Sequence, residues 1–436
     1  MVEDTRMSKG QRIMEVLRHL GIERAHIASG GTGEWAHFSS EFPEAVASAA
    51  MLLSIRIPEA PARAMGSRLL VAIGEKAPPQ FRATLDHCPE ARVVDLPGYV
   101  GMSWDDVARD HSSLLVSELS EFYKLSEDLV PLELPAQHGN VAGISYSLSG
   151  SGPPLVLLPL GFSPSQWEPL LEDLCRDFCV IVMRGPHLGF VEALEERFPA
   201  PGYEMVLEAL YRELNLHPGQ SLLEVGMGSG ADTRWLTKRT AGVNPITGVD
   251  INPYLLSEAA ELIRAQGLEG SITMKLGDAM SLPFPDDSFD ASLSITVLEE
   301  CDADRGLAEM MRVTRPGGRI AVAVRAEDVP AVVNVDLPPD LKSAAERLRR
   351  GVSPNGCGDA ALYARCADAG FQDARYFIAA ETQTDPGSAA ASIISGNLSA
   401  ADGEVWDEGF QRAVRKGTFF VTRFLHCAVG TKPAKL

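Results

Sequence analysis

A chain of 436 residues is long for one hydrophobic core and implies two or three domains, and a 45% share of hydrophobic residues is ample for globular folding. Its 59 acidic against 39 basic side chains give a formal charge of −20, which repels phosphate backbones and anionic membrane surfaces and argues against nucleic acid as substrate or partner. No apolar run approaches the 18 or so residues of a membrane span, no apolar segment follows the charged N-terminus, and the seven scattered cysteines lack C-x-x-C spacing, so the expectation is a reduced, cytoplasmic protein without a metal centre.

In chain order, Ile13, Val16, Leu17 and Leu20 form a helical stripe over Gln11 to Leu20, followed by a short apolar run and Ser29-Gly30-Gly31-Thr32-Gly33. Strands are expected at Arg68 to Ile73 and Arg92 to Leu96, and a long helix at Asp105 to Leu125; the pattern is α/β. The stretch LRHLGIERAHIASGGTGEWAHFSSEFPEAVASAAML resembles the segment around the nucleophile elbow of α/β-hydrolases, and RLLVAIGEKAPP and ARVVDLPGYVGM resemble the strands carrying their acid and histidine. In that resemblance Gly30 takes the nucleophile's place in G-x-S-x-G, Lys76 and Ala77 the acid's and Tyr99 the histidine's, which implies a domain without the triad. Ser29, one place off, reads as part of a loop or amide nest rather than a nucleophile. Gly143 to Gly189 resembles the beginning of the same fold, so the halves stand in reversed order. Residues 8–195 are then either a degenerate, circularly permuted hydrolase-like domain (8–128 and 141–195, joined through Pro131, Pro135 and Gly139) or two unrelated α/β fragments.

Pro199 to Gly202 signals a linker, Tyr203 to Leu214 a helix, and Pro218-Gly219 its stop. Leu222 to Gly230 is an apolar run ending in Gly226-x-Gly228-x-Gly230, a strand breaking into a turn over which a ligand can approach the backbone. With Ala231, the same residues satisfy the dinucleotide pattern G-x-G-x-x-G/A, so the loop alone leaves the nucleotide open. Gly248 to Asn252 is a strand ending in Asp250, placed to accept two ribose hydroxyls, and it suits a nicotinamide dinucleotide equally. A helix over Pro253 to Ala265 follows. Met274 to Ala279 is a further strand whose Asp278 either holds an adenine amino group or caps the next turn; Phe289 to Thr296 and Ile320 to Val324 are strands, the latter after the turn Arg315-Pro316-Gly317-Gly318.

Taken together, this order resembles the class I S-adenosylmethionine-dependent methyltransferases, most closely the branch acting on small molecules and quinone-type intermediates. The resemblance spans about residues 203–431, including Ala369 to Phe371 and a terminal hairpin in GTFFVTRFLHCAVGTKP, and implies a Rossmann-like domain over 203–436 with a seven-stranded, mostly parallel sheet. It implies that Gly226, Gly228 and Gly230 floor the methionine and ribose, that Glu224 serves the methionine ammonium, and that Asp250 binds the ribose. Ile251 packs on adenine, Asp278 and Ala279 receive its edge, and Ile295 and Thr296 border the methyl group. The reaction implied is in-line transfer to a small-molecule acceptor, in which orientation and desolvation supply much of the catalysis. Glu299 and Glu300, where relatives often carry histidine, are the candidates for a general base; the solvated start of a helix is their alternative role. TVLEE lacks the Asn/Asp-Pro-Pro-aromatic signature that grips a base amine. Residues 326–359, with a helix at Leu341 to Arg350, are the expected acceptor lid, and Arg325, Arg347, Arg349 and Arg350 are placed to meet an anion or simply solvent. Cys357 and Cys366 admit a thiol-dependent metalloid chemistry. The competing class is a non-catalytic donor-binding or scaffold protein that uses the hydrolase-like domain as a platform for a partner or a second copy.

Overall fold

A computed structural model gives the fold. The structure describes residues 7–434 apart from 31–33, 53–56, 58, 78, 100–105, 127–128, 162, 199–200, 348–351, 354, 385, 387–393 and 395–399. Gly31, Thr32 and Gly33 of the first glycine loop, and Arg349 and Arg350, therefore lie outside the described residues. The chain divides into two compact units between Glu192 and Ala193.

The first unit opens on the helix Lys9–His19, whose start is fixed by a capping box between Ser8 and Gln11. Its strands are β1 (Ala25–Ser29), β2 (Val46–Leu52), β3 (Leu69–Gly74), β4 (Arg92–Leu96), β5 (Gln137–Val141), β6 (Ile144–Ser149), β7 (Pro154–Leu157) and β8 (Cys179–Arg184). They form one sheet in the order β4-β3-β2-β1-β7-β8-β6-β5. Only β6 runs against the rest, pairing antiparallel with β5 and β8. β1, β2 and β3 are buried along their whole length, as central parallel strands must be. The two faces carry separate cores, one built on Ile13, Trp35 and Phe38 and the other on Leu115, Tyr123 and Trp167. The expected long helix is broken: Val107–Asp110 and Ser112–Ser126 meet at His111, whose φ of −125° and ψ of 29° leave helical geometry.

The second unit contains β9 (Leu222–Val225), β10 (Ile246–Asp250), β11 (Ile272–Leu276), β12 (Phe289–Ile295), β13 (Thr314–Arg325), β14 (Val332–Val333), β15 (Gln372–Gln383) and β16 (Val421–Thr431). The sheet runs β11-β10-β9-β12-β13-β16, with β15 on the outer edge of β16. β9 to β13 are parallel and β16 is antiparallel to β13. This is the mostly parallel α/β sheet the sequence implies, with one correction: there are eight strands among the described residues, the extra one being the two-residue β14 from the segment after β13. The terminal hairpin also differs, since β16 pairs along its length with β15, from which it is separated in sequence by the helix Ala400–Arg415.

The helix Pro253–Ala265 matches its expected bounds because Asn252 caps Tyr254 and Leu255 and Pro253 takes the first helical position. Helices sandwich the sheet, Ala303–Val313 and Ala361–Asp368 on one face and Pro201–Leu214 on the other. The expected lid helix ends earlier than its sequence pattern, at Pro339–Glu346. It packs with Trp406, Phe410 and Phe419 into a small core of its own, so the cover over this end of the sheet also uses the helix Ala400–Arg415.

Candidate functional site

The three glycines after β9 all hold positive φ, 79° at Gly226, 53° at Gly228 and 75° at Gly230. A Cβ on Gly226 would stand 2.1 Å from Val297 Cγ2, so this position requires glycine on grounds of both conformation and space. The loop is held from beneath by Asp250 at the end of β10: its Oδ2 accepts from Gly228 N at 2.8 Å and its Oδ1 from Asn252 N at 2.8 Å. The carboxylate thus fixes the loop it shares with the expected ligand. Ile251, 58% exposed beside a buried Asp250, presents a bare apolar side chain where an adenine is expected to stack. Asp278 lies two residues past the end of β11, half-buried, its Oδ1 accepting from Met280 N at 2.8 Å. It therefore makes the turn that is its alternative role. Ala279 beside it is half-buried against the core of Leu223 and Val225.

Glu224 is buried and accepts a hydrogen bond from the Thr233 hydroxyl. Burial, with the nearby Asp232 charge, holds its carboxyl well above the usual range, although Thr233 and Arg234 pull the other way. Asp232 is raised as well, by burial first, against the opposing pull of Arg197 and of the Tyr203 hydroxyl, which donates to Asp232 Oδ2 at 2.8 Å. Asp250 is raised by burial against three backbone N–H groups. In the free protein these acids retain protons in a range where exposed carboxyls have lost them. Between the ordinary 4.5 of Glu224 and its raised value, the folded state binds more protons than the unfolded one, so this group's contribution to stability falls as pH rises through that window. A cationic ligand reverses the preference by favouring the ionised forms. Binding of such a ligand is therefore expected to release protons and to tighten with rising pH; calorimetry in buffers of different ionisation enthalpy reads this directly, and an enthalpy independent of the buffer would contradict it.

Sequence reasoning missed the clasp on this loop. Leu194 lies against Gly228, where a Cβ would come within 2.9 Å of its Cδ1. Glu195 accepts from the Ser229 hydroxyl and from Arg234 Nη2, and Arg234 Nη1 donates to the Ser229 carbonyl at 2.7 Å. Residues 193–195, assigned by sequence to the first domain, thus belong to the second unit. Nothing in motif spacing marks Glu195 or Arg234, because their role arises from a chain crossing rather than a local pattern. Glu195→Gln leaves the buried Arg234 without its carboxylate and is expected to cost about 1–3 kcal/mol of stability in the second unit. Thermal denaturation checks this, and an unchanged transition would show the clasp to be idle.

Beyond the loop, a cavity opens at the carboxyl end of β12, lined by Thr296, by Arg325 to Ala331 after β13, by Ala345 to Arg347 and by β16 residues including Arg423. Arg197 and Tyr203 close its near wall. Thr296 itself holds φ of 55°, a conformation a β-branched residue adopts only under constraint, at the rim where the expected methyl group is transferred. Ile295 precedes it, buried in the strand. The expected base candidates fall elsewhere. Glu299 is fully buried and its Oε1 accepts from Arg325 N at 2.6 Å, while Glu300 pairs with Arg325 Nη2 at 2.7 Å, and neither lines the cavity. Both are anchors of the Arg325 side chain rather than groups aimed at an acceptor. Of the expected cationic residues, Arg325 and Arg347 line the cavity.

Other readings are corrected by burial. Cys357 and Cys366 are core residues, and burial pushes the Cys366 thiol up to about 12, which removes the thiolate that metalloid chemistry needs. Among the described residues, no three His, Cys, Asp or Glu side chains stand together as a metal site, and no helix is long and apolar enough to cross a membrane. In the first unit, Ser29 is fully buried, with its hydroxyl donating to the Gly30 carbonyl at 3.1 Å. Tyr99 donates to Asp110 at 2.7 Å, and its carbonyl accepts from Lys76 N at 2.8 Å; Ala77 is buried. These residues join the ends of β3 and β4.

Residues 223–322 match the model of a family described as a methyltransferase domain. Over 121 residues the chain is 38% identical to the methyltransferase GfsG of Streptomyces halstedii, covering 28% of this chain and 43% of that one. It is 34% identical over 106 residues to the ubiquinone/menaquinone biosynthesis C-methyltransferase UbiE of Vibrio parahaemolyticus, covering 24% and 41%. With the O-methyltransferase resE of Aspergillus sclerotiorum the identity is 32% over 167 residues, covering 38% and 60%. The chain spans less than two thirds of the length of each of these relatives. Residues 223–322 of the second unit are thus similar to methyltransferase domains, on a sheet of Rossmann-like α/β order.

Proposed function

We propose that the protein transfers a methyl group from S-adenosylmethionine to a small-molecule acceptor. One observation carries this reading: three glycines with positive φ, cradled on the Asp250 carboxylate and following the buried Glu224, share the carboxyl edge of the sheet with a separate cavity at the end of β12. S-adenosylmethionine supplies an electrophilic methyl on a sulfonium. The glycine loop gives the backbone approach, Asp250 the acceptors for ribose hydroxyls and Ile251 the apolar surface for adenine. Asp278 and Ala279 stand at the adenine edge, and Glu224 with Asp232 supplies negative charge beside the cation. The Thr296 rim and the cavity beyond it hold the nucleophile in line and away from water, so that the reaction draws on orientation and desolvation. With Glu299 and Glu300 tied to Arg325, the reading includes no dedicated carboxylate base from that pair. Transfer of label from methyl-labelled donor into a small-molecule fraction, lost in Asp250→Ala, tests the assignment; donor binding without transfer to any acceptor in a broad metabolite screen would favour the non-catalytic alternative.

The first unit fits the permuted hydrolase-like reading. If counting starts at β5, the strands lie across the sheet in the order 1-2-4-3-5-6-7-8, with the second antiparallel, which is the strand order of an α/β-hydrolase sheet whose chain has been reopened before its fifth strand. With Ser29 enclosed and Lys76, Ala77 and Tyr99 in turn positions, we assign this unit a supporting rather than hydrolytic role, including that of a surface for a partner or second copy. A cytoplasmic setting accords with seven free thiols.

A further inference from the structure

The cavity at the end of β12 is lined by several charged groups, and most of them answer one another. Arg325 faces Glu300 at 2.7 Å, Glu299 at 3.6 Å and Glu327 at 3.8 Å, so carboxylates outnumber that guanidinium. Arg423 faces Glu381 at 3.5 Å, and Asp328 is taken by His426 Nε2 at 2.8 Å. Arg347 is exposed to solvent, and among the half-buried guanidinium groups Arg197 is the exception. Among the described residues it makes no ion pair, and its Nη1 reaches only two neutral hydroxyls, Thr296 Oγ1 at 3.3 Å and Tyr203 Oη at 3.4 Å, with the guanidinium 5.4 Å from the Tyr203 ring centre. Two carboxylates act on it through space without pairing with it: Glu381 is held by Arg423 at 3.5 Å, and Asp232 is engaged by the Tyr203 hydroxyl at 2.8 Å.

A half-enclosed guanidinium that always carries its charge, presenting a planar fork of N–H donors to a cavity, is unsatisfied by two long bonds to hydroxyls. The chemistry that completes it is a carboxylate, which accepts two parallel N–H bonds in the geometry the fork offers. Arg197 acts on the donor side only through its charge on Asp232. The cavity it lines includes cover residues such as Ala331 and Arg347, while Glu224, the loop glycines, Asp250 and Asp278 do not line it. Resting on the methyltransferase reading, we propose that Arg197 is the anchor for a carboxylate on the methyl acceptor, placing that group beside the constrained Thr296 at the rim of the cavity.

The test uses the full-length protein saturated with S-adenosylhomocysteine, with benzoate and hexanoate and their neutral amides as probes in calorimetric titrations. The carboxylates are expected to bind at least 10-fold more tightly than the amides, and Arg197→Met is expected to erase that preference while S-adenosylhomocysteine affinity changes less than 3-fold. Arg197→Lys, which keeps charge but not the fork, is expected to recover part of the preference and stands in should the methionine variant fail to fold. Equal binding of acids and amides, or absence of binding by all four, overturns the proposal. A loss of S-adenosylhomocysteine affinity in Arg197→Met with the probe preference intact also overturns it, since Arg197 would then serve the donor's own carboxylate. Failure of the wild-type protein to bind S-adenosylhomocysteine at all defeats the methyltransferase reading itself and is distinguished by that first titration.

Discussion

Gly226→Ala is expected to lower the stability of the second unit by about 2–5 kcal/mol and to abolish measurable donor binding. The backbone at φ of 79° costs an alanine about 1–2 kcal/mol, and its methyl would stand 2.1 Å from Val297 Cγ2, adding the roughly 1–3 kcal/mol of an overpacked contact. For a unit of this size, that corresponds to a fall in Tm of about 5–15 °C. The two contributions separate in a double variant. Val297→Ala removes the atom in the way and leaves only the conformational strain, so Gly226→Ala/Val297→Ala is expected to be more stable than Gly226→Ala alone. Thermal denaturation of the three proteins decides the matter, and a double variant no better than the single one would show that the close approach to Val297 is not what requires glycine here.

Asp250→Ala is expected to weaken donor binding by about 100-fold or more. The carboxylate offers acceptors to two ribose hydroxyls, and hydrogen bonds to a charged group contribute about 1.5–3 kcal/mol each. The substitution also frees Gly228 N and Asn252 N, both 2.8 Å from the carboxylate, so the loop loses its support along with its ligand. Asp250→Asn keeps one oxygen acceptor and nearly the same shape; it is expected to fold with a Tm close to that of the parent and to bind with intermediate affinity. Calorimetric titration of the three proteins with S-adenosylhomocysteine measures the series. An Asp250→Ala protein that binds as tightly as the parent would place the ribose elsewhere.

The second unit was legible because its signals are local. An apolar run that must end in glycines, a strand that must end in an acid and an Asn252-Pro253 start that pins a helix are all written within a few residues of one another. The clasp and the cavity were not legible for the opposite reason. Glu195 meets Arg234 across 39 positions, Arg197 meets Thr296 across 99, and no periodicity or spacing encodes such a meeting. For Glu299 and Glu300, proximity in sequence to the end of β12 does not determine direction; the β13 residue Arg325 draws both toward itself. In the first unit, β2 escaped notice because Val46 to Leu52 is rich in alanine and carries one β-branched residue, so it looks like helix until β1 and β3 flank it. The break at His111 is likewise tertiary: helical apolar spacing continues through it, while the chain does not.

The account stands most directly on whether the loop after β9 takes the methyl donor. Calorimetric titration of the full-length protein with S-adenosylmethionine is expected to give one-to-one binding in the micromolar range, displaced by S-adenosylhomocysteine. Absence of binding at millimolar donor, from a protein shown to be folded, would contradict it.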